Sequence, residues 1–145
     1  MKALLQRVTH AKVTVADQTV GEIKQGLLVF LGVELNDTEA QAKKLAQRLL
    51  GYRMFADSDD KTNLSVSDIQ GQILVVSQFT LAADTNSGRR PSFSTAAPPE
   101  RAQALYDFFV EQLRTSPLTI ATGQFGGAMQ VSLTNDGPMT FMLTV

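Results

Sequence analysis

Two short segments hold the residues best suited to chemistry. Ser77-Gln78-Phe79-Thr80 directly follows the apolar run Ile73-Leu74-Val75-Val76. Hydroxyls and a carboxamide at the end of a buried strand are well placed to meet a reacting group, and backbone N–H groups at the break can face a developing oxyanion. A plainer reading has Ser77 and Thr80 satisfying loop backbone groups while Phe79 packs inside. A hydrolase built on Ser77 ordinarily needs a base and a carboxylate to orient it. His10 is the only histidine, it sits in the polar stretch Thr9-His10-Ala11-Lys12, and the Gly-x-Ser-x-Gly elbow is absent. A surface histidine is therefore expected, and no conventional triad. Thr80 as a nucleophile lacks the same base.

The second segment is Gly137-Pro138, between the strand-like runs Met129-Gln130-Val131-Ser132-Leu133 and Met139-Thr140-Phe141-Met142-Leu143. Proline has no N–H to give a sheet, so it belongs at an edge, turn or bulge. Asn135-Asp136-Gly137 is a strong turn signal and predicts a C-terminal hairpin. The alternative is a cis bond that exposes carbonyls to a ligand.

Other candidates are weaker. Gly123-Gln124-Phe125-Gly126-Gly127 lacks the Lys and Ser/Thr of a phosphate loop and reads as a glycine-rich turn, with Phe125 available to stack on a base. Arg89-Arg90 could contact phosphates or form a solvated tip. In Asp57-Ser58-Asp59-Asp60-Lys61-Thr62-Asn63, Lys61 stands where a calcium loop needs an oxygen ligand, so a solvated acidic turn is expected.

Composition narrows the chemistry further. The chain has 145 residues and a formal net charge of -1, so no broad basic surface can hold nucleic acid by counterion release alone. The absence of cysteine removes disulfides, thiolate catalysis and cysteine-bound metal centres. No apolar run approaches the ~20 residues that span a bilayer, and no signal-peptide core opens the chain. A cytoplasmic protein without cofactor, metal, DNA or membrane partner is expected.

The elements that must position these residues alternate in period. Val13 to Val15 and Val20 to Ile23 read as strands about a turn at Asp17-Gln18, and Leu27 to Leu31 as a strand buried on both faces. Asn36 and Glu39 have capping-box spacing ahead of a helix with Ala42, Leu45, Ala46 and Leu49 on one face and Gly51 as its stop. Tyr52 to Phe55 reads as a short strand. A second helix opens at Pro99, carries Ala102, Leu105, Tyr106, Phe109 and Leu113 as its stripe, and ends before Pro117. The order predicts one domain over residues 1–145, of α/β (α+β) class: a mixed β-sheet, two covering helices and the C-terminal hairpin.

Taken together, Ser77-Gln78-Phe79-Thr80-Leu81, Arg90-Pro91-Ser92-Phe93 and Asn135-Asp136-Gly137-Pro138 with Met139-Thr140-Phe141 resemble the motifs of D-aminoacyl-tRNA deacylases. Gln6-Arg7-Val8 and Gly26-Leu27-Leu28-Val29 are similar to the same family, so the resemblance spans essentially the whole chain. It implies a homodimer that hydrolyses the ester of D-amino acids, and of glycine, at the acceptor end of mischarged tRNA. By resemblance, the Gly137-Pro138 bond is cis and enters the partner's active site. Its carbonyls would meet the substrate α-ammonium and leave no room for an L side chain. Ser77, Gln78, Phe79 and Thr80 would surround the ester and terminal adenosine, with Phe125 and Met129 lining the adenine pocket. Two mechanisms fit the family: a Thr80 nucleophile, or water activated with help from the ribose 2′-hydroxyl while the Phe79 N–H holds the oxyanion. The second needs no side-chain base and is favoured here. Met139 stands where valine is commoner, and Ser87-Gly88 stands where lysine-glycine is common before Arg89-Arg90.

Overall fold

A computed structural model describes residues 1–145. Strands β1 (Lys2–Val15), β2 (Gln18–Ile23) and β3 (Gly26–Gly32) open the fold, followed by helix α1 (Glu39–Leu50). The strands β4 (Arg53–Ala56), β5 (Thr62–Ser65) and β6 (Gln72–Ser77) come next, then a 3-10 turn over Phe79–Ala82. Helix α2 (Pro99–Arg114), β7 (Ile120–Thr122) and β8 (Met129–Thr144) complete the chain. The main sheet runs β2-β1-β3-β6-β7, with β8 on the other edge of β1. The β3–β6 and β6–β7 pairs are parallel, and every strand pair involving β1 is antiparallel. The mixed sheet and its two helices are as expected.

Burial explains the arrangement. In β3, Gly-Leu-Leu-Val-Phe-Leu-Gly is buried almost throughout because both faces of the sheet are covered. On one face, Leu27, Val29, Ile73 and Val75 pack with Ala42, Leu45, Leu49, Leu105, Phe109 and Leu113 of the two helices. On the other, Ile23 of β2 reaches Leu28 and the β6 residues Leu74 and Val76. That contact between strands not paired with each other shows the sheet curling toward closure.

The cap of α1 lies two residues beyond the predicted Asn36. Thr38 is the N-cap; its N–H donates to Gln41 Oε1 at 2.9 Å, and its Oγ1 accepts from the Gln41 N–H at 3.4 Å. This capping box contributes about 1 kcal/mol. Asn36 is displaced because Asp37 is drawn inward instead. The Asp37 carboxylate is 3 % exposed, takes the Met1 α-ammonium on Oδ1 at 2.6 Å and accepts the Glu34 N–H on Oδ2 at 2.6 Å.

The predicted C-terminal hairpin is not formed. Residues Met129–Thr144 make one long strand, antiparallel to β1 along nearly its full length. Gly137 and Pro138 sit in an interruption of that pairing, between Val8↔Asn135 and Gln6↔Thr140. The 14-residue β1 can satisfy both halves of β8, so the chain has no need to turn back on itself. The turn residues form a bulge instead, where a proline costs the sheet no ladder hydrogen bond.

The Asp57 turn joins β4 to β5 and supplies its own donors. Asp57 Oδ1 accepts the Asp59 and Lys61 N–H groups at 2.8 and 3.0 Å, and Oδ2 accepts from Asn63 at 3.1 Å. The backbone N–H groups of Lys61 and Asp59 hold this carboxyl below the usual aspartate range.

Candidate active site

The parallel strands β3 and β6 end side by side, and Ser77 is paired with Leu31. Ligands commonly gather beyond the carboxyl ends of such strands. The Gln78 N–H makes the next hydrogen bond, to Leu31 O at 2.8 Å, after which the chain leaves the sheet for the 3-10 turn. Gly32 allows this turn to lie close, because a Cβ there would fall 2.8 Å from Leu81 Cβ. Lys2 Nζ ties the turn back to β1 through Leu81 O at 3.4 Å.

A cavity of about 490 Å³ opens where the strands end. Ser77, Gln78 and Phe79 form one side, Pro98, Pro99 and Ala102 at the start of α2 another, and Tyr106 with Phe125 a third. Phe93 leans over the mouth from the long connection, its ring 5.1 Å from that of Phe79. Both residues are exposed, Phe79 at 56 % and Phe93 at 44 %. Solvated aromatic faces beside a mostly apolar cavity suit a planar, partly polar ligand such as a nucleoside.

The connection carrying Phe93 is anchored at both ends. Asp84 and Ser92 exchange backbone hydrogen bonds of 2.8 and 3.1 Å, Thr95 Oγ1 donates to Ala82 O, and the Ala97 N–H donates to Val33 O at 3.1 Å. Arg89 and Arg90 lie at its exposed tip and line no part of the cavity.

Tyr106 fixes the floor. Its hydroxyl donates to Val75 O at 2.8 Å, and its ring lies 5.8 Å from Phe125. Burial, with the nearby Asp107 charge, pushes the Tyr106 phenol far above its ordinary range, so it stays neutral and acts as a hydrogen-bond donor. Tyr106→Phe removes that bond, but Val75 O keeps the Gly123 N–H at 2.9 Å. The expected cost is about 1 kcal/mol, read as a shift in urea midpoint. The helical stripe marked Tyr106 as a core residue; nothing in its spacing showed that one edge would face a cavity.

The site residues expected from sequence divide into three groups. Ser77, Gln78, Phe79 and Phe125 meet around the cavity. Thr80 stands outside its walls, its Oγ1 accepting from Gln78 Nε2 at 2.5 Å, so the Gln78 amide is committed locally. Met129 is also outside: its Sδ lies where a Cβ on Gly123 would be 2.8 Å away, and it packs with the β1–β2 side of the core. Gly137 and Pro138 line none of their own chain's cavity; they are exposed on the β8 bulge, and the peptide between them is cis.

The cavity walls contain no histidine, carboxylate, lysine or arginine, and Tyr106 is their only titratable side chain. His10 is elsewhere, its Nε2 2.7 Å from Glu22 Oε1 on the surface of the β1–β2 pair. The N–H groups of Phe79 and Thr80, at the start of the 3-10 turn, have no acceptor within the chain. What the site offers a reaction is thus an aromatic cradle and free backbone donors, without a general base.

The model of the D-Tyr-tRNA(Tyr) deacylase family matches residues 4–144. The chain belongs to that family. The D-aminoacyl-tRNA deacylases of Idiomarina loihiensis and Cronobacter sakazakii are 61% and 59% identical to it, each over 145 residues and the full length of both chains. Among solved structures, the c-Myc DNA Unwinding Element Binding Protein superposes with a TM-score of 0.96 at 42% identity, covering 100% of this chain and 99% of its own. A probable eukaryotic D-amino acid tRNA deacylase shares the fold, with a TM-score of 0.84 at 20% identity over 98% of this chain and 97% of its own. No helix of the chain is long and apolar enough to cross a membrane.

Proposed function

We propose that this chain hydrolyses the ester joining a D-amino acid to the terminal adenosine of tRNA, and that it works as a homodimer in the cytoplasm. The observation that carries the reading is the aromatic cavity lined by Phe79, whose N–H has no acceptor in the chain, with no base among its walls. Water attacks the ester carbonyl, with the ribose 2′-hydroxyl of the substrate taking part in the proton transfer. The carbonyl oxygen becomes an oxyanion held by the Phe79 N–H. Collapse of the tetrahedral intermediate expels the ribose oxygen, which recovers a proton and leaves free tRNA and a free amino acid. The adenine stacks on Phe125, and Ser77 and Gln78 border the ester.

Chirality is assigned to Gly137 and Pro138. Both are exposed and absent from their own cavity, which supports their use in the cavity of a second subunit. Their carbonyls accept the substrate α-ammonium, and the close backbone excludes an L side chain. Glycine has no side chain to exclude, so glycyl-tRNA is accepted as well.

The test compares D-tyrosyl-tRNA with L-tyrosyl-tRNA. Rapid hydrolysis of the D ester alone is expected; equal rates, or none on either, defeat the proposal. Thr80→Ala is expected to stay within about tenfold of the parent, because Thr80 lies outside the cavity without a base. Activity at background level in an intact Thr80→Ala dimer would count for a threonine nucleophile instead.

A further inference from the structure

We propose that the Asn135 carboxamide is the positioning element that holds the Gly137–Pro138 bulge in place and so sets how strictly L substrates are refused. This rests on the assignment of Gly137 and Pro138 as the chiral wall. The β1–β8 register runs from Val8↔Asn135 to Gln6↔Thr140, so one residue of β1, Arg7, faces four of β8, Asp136 to Met139. An insertion of that size deprives the ladder of its regular hydrogen bonds. Something else must fix the backbone.

Asn135 does so from the edge of the bulge. Its Nδ2 donates across to Arg7 O at 2.9 Å and along its own strand to Met139 O at 3.3 Å, bridging the two rims. Its Oδ1 lies beside Gly137, where a Cβ would be only 3.1 Å away. A carboxamide suits this place because it is planar, uncharged and carries two N–H donors for two carbonyls. A carboxylate of the same shape would turn acceptors toward both carbonyls. Arg7 holds the other flank, with Nε donating to Asp136 O at 3.1 Å and pairing with Asp136 Oδ2 at 3.0 Å.

The placement separates this role from general stability. Asn135, Gly137 and Pro138 are all exposed, and none belongs to either apolar cluster. Exclusion by steric clash is sensitive to the position of the wall: a displacement of about 1 Å in a reacting geometry is worth about a hundredfold in rate. A wall freed from its clasp recedes and admits the L side chain.

The experiment measures single-turnover deacylation of D-tyrosyl-tRNA and L-tyrosyl-tRNA by the full chain and by Asn135→Asp and Asn135→Ala, with Tm and sedimentation for each. The D-over-L ratio is expected to fall about tenfold or more, chiefly through a faster L reaction, in folded protein of unchanged assembly. A ratio within about twofold of the parent, or equal slowing on both substrates, overturns the positioning role. Asn135→Asp keeps the side-chain shape and decides the matter if Asn135→Ala does not fold. A parent without D preference would sink the proposed chiral wall and this inference together; a selective parent with unaltered variants would sink only the inference.

Discussion

Phe79→Pro is expected to lower the turnover of D-tyrosyl-tRNA by about 10²–10³-fold, whereas Phe79→Ala is expected to keep the rate of the chemical step within about tenfold and to weaken substrate binding. The contrast isolates the backbone donor. Both variants delete the aromatic ring and its 5.1 Å contact with Phe93, but only proline removes the N–H. The fold tolerates the change at this position. Phe79 is the first residue of the 3-10 turn, its N–H has no acceptor in the chain, and proline is favoured at such first positions. Gln78 before it has φ -143 and ψ 75, outside the helical region that proline disfavours in its predecessor. Burst experiments on matched D-aminoacyl-tRNA, with circular dichroism to confirm folding, provide the measurement. Equal chemical rates for the two variants would remove the Phe79 N–H from the mechanism.

Asp37→Ala is expected to be the most destabilising single polar substitution in the chain, at about 3–5 kcal/mol. Its carboxylate is almost fully buried against the Met1 α-ammonium, and its own carbonyl accepts from Arg101 of α2 at 2.7 Å. Removing it leaves a buried cation without its nearest partner and orphans the Glu34 N–H, the two kinds of loss that cost most inside a protein. The urea midpoint should fall correspondingly. A loss under about 1 kcal/mol would mean that the cluster is effectively solvated.

The same cluster gives a pH signature. Partial burial works to raise the Glu34 carboxyl, but the hydrogen bond and charge of the Met1 ammonium, with Lys2, outweigh it and hold the group below the ordinary glutamate value of 4.5. A carboxyl depressed on folding contributes stability that is present above its unfolded pKa and lost as pH falls through its folded one. Stability should therefore decline as pH drops below about 4.5, and Glu34→Gln should flatten part of that decline. An unchanged slope in the variant would contradict the assignment.

The sequence by itself determined which chemistry was available. The absence of cysteine excludes thiolate catalysis without a structure, a lone histidine in a polar segment with no Gly-x-Ser-x-Gly elbow argued against a triad, and the Ser77-Gln78 break after a buried strand marked the cavity wall. The apolar stripes of α1 and α2 and the doubly buried β3 were equally legible, because the relevant contacts repeat with local periodicity. Tertiary structure decided what depended on distant partners. Asn36 and Thr38 both have capping chemistry; Thr38 is the cap because Asp37 is held by an ammonium 36 residues away in sequence. Asn135-Asp136-Gly137 has every local mark of a hairpin turn. It forms a bulge in a straight strand because β1, more than a hundred residues earlier, pairs with both sides of it. Tyr106 is in the core as its stripe predicts but also lines the cavity, and Met129 packs with the other apolar cluster, since a side chain's face is set by the element that packs against it. The placement of Gly137 and Pro138 outside their own cavity, on which the chiral proposal depends, follows from that long-range register and from no property of the two residues alone.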